Sequence, residues 1–128
     1  QNLVGIAALN AGVQYVLSHQ KAIMEKEYFL LQKLYEGLTG DVEFYSSLEN
    51  STPIVALNIP GKDSAYVSDL LNYKYGIVTR CGAHCAPLMH KHLKTEEQGI
   101  VRLSISFQNM MEDIDCVIRA IQEISNDY

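Results

Sequence analysis

Apolar and polar positions alternate with several different periods along this 128-residue chain, and each change of period marks an element. From Leu3 to Leu17 apolar residues dominate. Ile6, Leu9, Val13 and Val16 or Leu17 fall near helical spacing, and Gly5 and Gly12 permit close packing, so the pattern predicts a buried helix. After Ser18-His19-Gln20, a second helix is predicted from about Lys21 to Leu38. It places Ile23, Leu30, Leu31, Leu34 and Leu38 on one face, with Lys and Glu opposite, and Thr39-Gly40 as its stop. Val42 to Tyr45 alternates as an edge strand would. Ser51-Thr52-Pro53 interrupts, and the nearly continuous apolar run Ile54 to Ile59 reads as a central strand ended by Pro60-Gly61. Asp63 or Ser64 can cap a helix with Val67, Leu70 and Leu71 inward and Gly76 at its end. Ile77-Val78-Thr79 reads as a short strand finishing at Arg80, followed by a small-residue loop that Pro87 closes. Val101, Leu103 and Ile105 alternate with Arg102, Ser104 and Ser106, the period of a strand with one apolar face, which turns Arg102 away from the core. A last helix starts after Asn109, sets Glu112, Asp113 and Asp115 against the positive end of its dipole, and buries Ile114, Val117, Ile118, Ile121 and Ile124.

The resulting order, α-α-β-β-α-β-loop-β-α, predicts an α+β fold: a small, mostly antiparallel sheet with helices on one face. Residues 1–128 are read as one domain, with two N-terminal helices over 1–40 and the sheet, helices and cysteine loop over 41–128. An apolar fraction of 48% is enough for a core at this length. A net charge of −5, with the ten Lys and Arg scattered, argues against nucleic acid, whose phosphates need a basic patch. The absence of an 18-residue apolar run or a signal peptide leads us to expect a soluble, cytoplasmic protein with no membrane partner. Three cysteines do not make a disulfide framework and read as reduced thiols. The chain opens at Gln1 directly into a helical pattern, without an initiator Met or a founding strand, which reads as a fragment of a longer protein.

Chemistry concentrates between Gly76 and Asn109, which hold two of the three arginines, two of the three cysteines and three of the four histidines. Cys85, in a loop of small residues, has the makings of a thiolate nucleophile, or it is a small buried hydrophobe. Arg102, on a polar strand face, can grip a carboxylate through two parallel hydrogen bonds, or it pairs with Glu96 or Glu97. Arg80 does similar work or braces the loop. His84 acts on the neighbouring thiol or structures the loop. Cys81, His84, Cys85, His90 and His92 offer zinc ligands on paper, but Cys-x3-Cys is looser than the usual pairing and no metal site is assigned. Cys116 reads as packing.

The segments Arg80-Cys81-Gly82-Ala83-His84-Cys85-Ala86-Pro87 and Gly99-Ile100-Val101-Arg102-Leu103-Ser104, then Asn109 with Glu112-Asp113-Ile114-Asp115, resemble the C-terminal part of class V aminotransferase-like enzymes, which depend on pyridoxal phosphate. Together with Asn2 to Leu9, the resemblance spans the chain and is most like the cysteine desulfurase and selenocysteine lyase branch. It implies the small domain of such an enzyme, in which Cys85 accepts sulfur from the substrate and Arg102, with Arg80 and His84, binds it. The cofactor, pyridoxal 5'-phosphate, would be held by a large domain upstream. No cofactor residue is expected in this chain, Asn2 being the one candidate beside that site, and none bound to the fragment. The implied partners are L-cysteine or a similar amino acid, the missing large domain, and a second copy in a full-length homodimer. The fragment alone would be inactive. Met110 stands where the family carries Thr, and Cys81 where it carries a small residue or Thr. Aminotransferase, selenocysteine lyase and desulfurase remain open, beside a thiol or zinc module and a non-catalytic interaction domain. The last would be favoured by a buried Cys85 and an internally paired Arg102. The enzyme reading expects Cys85 exposed and Arg102 opening with it onto a shared crevice.

Overall fold

The computed structural model describes residues 1–49 and 52–127. A long helix, α1 (Leu3–Gly37), leads into β1 (Glu43–Phe44), β2 (Ile54–Asn58), α2 (Ser64–Tyr75), α3 (Pro87–Leu93), β3 (Val101–Ser104) and α4 (Met111–Asn126). The strands form one antiparallel sheet in the order β1-β2-β3, with Phe44 opposite Leu57, Val55 opposite Leu103 and Leu57 opposite Val101. Helices α1, α2 and α4 pack on the face that carries Val55, Leu57, Val101 and Leu103. This is the α+β arrangement expected from the order of periods.

Most of the apolar stripes land where the spacing places them. Leu30, Leu31, Leu34 and Leu38 are buried, as are Val67 and Leu71 of α2 and Ile114, Ile121 and Ile124 of α4, with Ala120 beside them. Leu70, Val117 and Ile118 are half-buried against that core, and Ile23 is half-buried as well. Asp63 caps α2, its carboxylate accepting from the N–H groups of Ala65 and Tyr66 at 2.9 and 3.1 Å. Gly76 ends that helix at φ 69°, the left-handed conformation that glycine adopts without strain.

Several expectations need correction. The two N-terminal helices are one, running unbroken for 35 residues. Ser18-His19-Gln20 contains no Gly or Pro, and Ser18 returns its hydroxyl to the carbonyl of Gln14 at 2.8 Å without breaking the ladder. Nor is the first part of α1 buried: Leu3, Val4, Ile6, Leu9 and Leu17 are all more than half exposed, and Leu30 is the first buried side chain. Among the described residues, no helix is long and apolar enough to cross a membrane. Among the described residues Ile77-Val78-Thr79 pairs with no strand, and Arg80 forms an isolated bridge with Arg102. The α2 cap takes up the start of that segment, the Ile77 N–H bonding the Leu71 carbonyl at 2.9 Å. Pro87 opens a helix rather than closing a loop, because a first-turn position has no use for the missing N–H. The N-cap of α4 is Met110, and Asn109 turns back on the preceding loop. Its side-chain oxygen accepts from the Ser106 N–H at 2.9 Å, while Asp113 accepts from the Met110 N–H at 2.9 Å. Of the Ser51-Thr52-Pro53 break, Ser51 lies outside the described residues.

Candidate functional site

The site grows from β3 and the segment lying against it. Arg80 and Arg102 exchange both backbone hydrogen bonds, Arg80 N–H to Arg102 O at 3.1 Å and Arg102 N–H to Arg80 O at 2.7 Å. Residues so paired across antiparallel backbone sit about 5.5 Å apart at Cα with side chains on the same face. The two guanidinium groups therefore leave the sheet side by side, on the face away from the helices, in a row with Ala56 opposite Arg102 in β2. Like charges placed opposite each other destabilise a sheet, and here no acid offsets them. Among the described residues the ion pairs are Lys21–Glu25, Lys33–Glu36 and Lys74–Glu123, so Arg102 is bound to neither Glu96 nor Glu97. Its Nε is buried with no hydrogen-bond partner, a donor stripped of water and given nothing in return. Arg80 is exposed and Arg102 half-buried.

The cysteine loop is fastened to the same stretch. The Ile100 N–H bonds Gly82 O at 3.3 Å, and the His84 Nε2 lies 2.9 Å from Ile100 O. A Cβ on Gly99 would meet the Cα of Gly82 at 2.8 Å, so this close approach of two backbones requires glycine there. Beyond Gly82 the chain reverses, with the Ala86 N–H bonding Ala83 O at 2.8 Å. The two central residues of that turn, His84 and Cys85, have φ of 49° and 59°. Positive φ at both centres is the sign pattern of a type I′ turn, which Gly and Asn normally supply. Cys85 is exposed on it, as the enzyme reading expects, while Cys81 is half-buried. The interaction-domain alternative called for a buried Cys85 and a paired Arg102, and neither is found.

His84 contacts α3 through the His90 ring, 6.1 Å between centroids; His90 is buried, its Nδ1 2.9 Å from the Thr95 hydroxyl. Among the described residues no three His, Cys, Asp or Glu side chains gather as a metal would require, and His92 lies exposed on α3. Asn2, the residue considered for proximity to a cofactor, is spent on α1, its side chain accepting from the Gly5 N–H at 2.9 Å.

Two residues that support the site went unread in the sequence. Asn58, 1% exposed, donates to Gly99 O at 2.7 Å and leaves its Oδ1 without a partner. Gln98 donates to Lys62 O at 2.7 Å. Together they anchor the approach to β3. The available signal was a single Asn inside the apolar run Ile54 to Ile59, a polar group in a buried strand that demands a partner. Cys116, read as packing, lines a cleft of about 310 Å³ with Tyr75, Val78, Ser104 and Asn109; Arg80, Cys85 and Arg102 do not line it.

Comparison with known proteins places the fold. The family model described as aminotransferase class-V matches residues 1–117. Among curated relatives, a probable cysteine desulfurase of Methanothermobacter thermautotrophicus is 29% identical over 128 residues, covering 97% of this chain and 32% of the relative. A cysteine desulfurase of Escherichia coli is 31% identical over 127 residues, covering 96% of the chain and 30% of the relative. The solved apo structure of a cysteine desulfurase from Thermococcus onnurineus superposes with a TM-score of 0.87 at 28% identity, covering 97% of the chain and 31% of that protein. The chain thus spans about a third of the length of the relatives it matches.

Proposed function

Because the chain belongs to the aminotransferase class-V family, we propose that it is the substrate-side domain of a pyridoxal-phosphate-dependent enzyme that removes sulfur from L-cysteine. The observation that carries this reading is an unpaired, partly desolvated Arg102 on the strand to which the exposed Cys85 turn is fastened. Arg102 grips the substrate carboxylate in a bidentate bond, and that carboxylate relieves the like-charge contact with Arg80. Cys85, as thiolate, takes the substrate sulfur, an S–S bond forming there as the substrate's C–S bond breaks.

Pyridoxal phosphate supplies the electron sink for such chemistry and needs a lysine to anchor it. The residues of this chain do not make that site by themselves. Lys21, Lys26, Lys74, Lys91 and Lys94 are exposed. Lys33 is held by Glu36 at 2.8 Å and Lys62 by Asp127 O at 2.6 Å. The cofactor then belongs to a part of the enzyme outside this chain, which alone should stay colourless with pyridoxal phosphate and inactive on cysteine.

The test uses the full-length gene product with the cofactor and L-cysteine. Alanine should form, and the peptide carrying Cys85 should gain one sulfur by mass. Turnover undiminished in Cys85→Ser would overturn the assignment. Alanine-type products without sulfur on Cys85 would move the reading to the selenocysteine lyase or aminotransferase alternatives.

A further inference from the structure

The turn that presents Cys85 is built at odds with its own residues. His84 and Cys85 occupy two consecutive left-handed positions, and neither is Gly, Asn or Asp. Side chains at such angles are strained, and they persist only where surrounding contacts over-determine the backbone. The Ala83–Ala86 hydrogen bond closes the turn but does not say where it points. Of the two central side chains, the only one with a hydrogen bond to another element is His84, at 2.9 Å from the carbonyl of Ile100.

The chemistry of that bond fixes the ring. A carbonyl only accepts, so Nε2 carries a proton and donates it to Ile100 O. Nδ1 is buried and has no partner. A nitrogen closed off from solvent in this way is not placed to shuttle protons to a substrate. What the ring does contribute is placement, since Ile100 lies two residues before Arg102 on the same run of backbone. Its other neighbour, His90, is itself held by Thr95, so the ring is also steadied from α3.

We propose that His84 is a positioning residue: its hydrogen bond to Ile100 holds the strained Cys85 turn in register with Arg102, so that thiol and guanidinium face one anionic substrate. The proposal rests on the assignment of Cys85 and Arg102 made above and adds the device that couples them.

The coupling can be read on this chain without cofactor or turnover, from the rate at which Cys85 is alkylated by anionic iodoacetate relative to neutral iodoacetamide. Mass analysis of the peptide containing Cys85 separates it from Cys81 and Cys116. A guanidinium facing the thiol attracts the anionic reagent, so the wild-type ratio should exceed that of the unfolded chain by about fivefold. Arg102→Gln should remove most of that preference. His84→Gly should remove it as well. Glycine is at ease at positive φ, so this variant keeps the turn while deleting the tether, and circular dichroism should match wild type. His84→Ala should lose the preference too.

A His84→Gly protein that keeps the wild-type ratio while Arg102→Gln loses it overturns the positioning role and leaves the Cys85–Arg102 assignment standing. A wild-type ratio equal to that of the unfolded chain, or one that Arg102→Gln leaves unchanged, overturns the shared crevice and the positioning role with it.

Discussion

Arg102 shows how much a single side chain owes to its neighbours. Period-2 alternation put it on the polar face of a strand, and it lies there. What no alternation can say is that the residue across the backbone is Arg80 and that no carboxylate comes within ion-pair distance among the described residues. A guanidinium left in that state is poised for an external anion. Under the proposed function, Arg102→Gln in the full-length protein should raise KM for cysteine by about 10- to 100-fold, the scale of a lost charge-assisted pair, with a smaller change in kcat. Arg102→Lys should recover only part of the loss, since an ammonium cannot match a carboxylate with two parallel donors. Steady-state kinetics on the two variants decide the matter, and equal KM values in Gln and wild type would remove Arg102 from the substrate.

At the level of elements, the crossing of α1 and α4 is set by one missing side chain. Gly37, the last residue of α1, leaves a space into which the Ile118 side chain of α4 fits, and a Cβ there would collide with the Ile118 Cδ1. Gly37→Ala should destabilise the fold by about 1–3 kcal/mol through overpacking. Pairing it with Ile118→Val should recover part of that in urea titrations, the signature of two sites in contact. The start of α4 carries a pH-dependent contribution. The Met110 N–H, and after it the Asn109 amide, hold the Asp113 carboxyl below its ordinary range. A depressed folded-state value means the stabilisation is complete above the ordinary carboxylate pKa and fades as pH falls through the lowered one. Asp113→Asn should therefore lower the urea midpoint at neutral pH and leave a smaller gap to wild type in acid. A gap that stays constant down to strongly acidic pH would remove the carboxylate from the account.

Across the whole molecule, the first part of α1 stands outside the core. Residues 1–20 carry no charged side chain, yet large apolar groups from Leu3 to Leu17 face solvent. The contacts that tie α1 to the rest begin near Tyr15, whose ring lies 6.1 Å from that of Phe107, and Glu27, which accepts from the Phe107 N–H at 3.1 Å. Deleting residues 1–14 should shift Tm by no more than about 2 °C, because that segment shares little of the cooperative core. Amide exchange should be fast over residues 4–14 and slow over 30–38. A large loss of Tm on deletion would show that the exposed segment is part of the folding unit. A helix face this apolar fits cover by the remaining two-thirds of a protein the size of its relatives, in line with the proposed function.

The order of periods and the residue types along the chain were enough to determine the α+β class, the sheet-facing stripes of α2 and α4, the caps at Asp63 and Gly76, and the concentration of thiol, imidazole and guanidinium groups between Gly76 and Asn109. All of these follow from local spacing and from residue chemistry, which a linear sequence carries in full. Only the folded chain decided that Ser18-His19-Gln20 continues one helix, that Ile77-Val78-Thr79 joins no strand among the described residues, that Asn58 and Gln98 brace β3, and that His84 ties the thiol turn to Ile100. Each of those depends on which backbone groups are left unpaired once distant segments meet, and hydrogen-bond demand between residues far apart in sequence leaves no periodic trace.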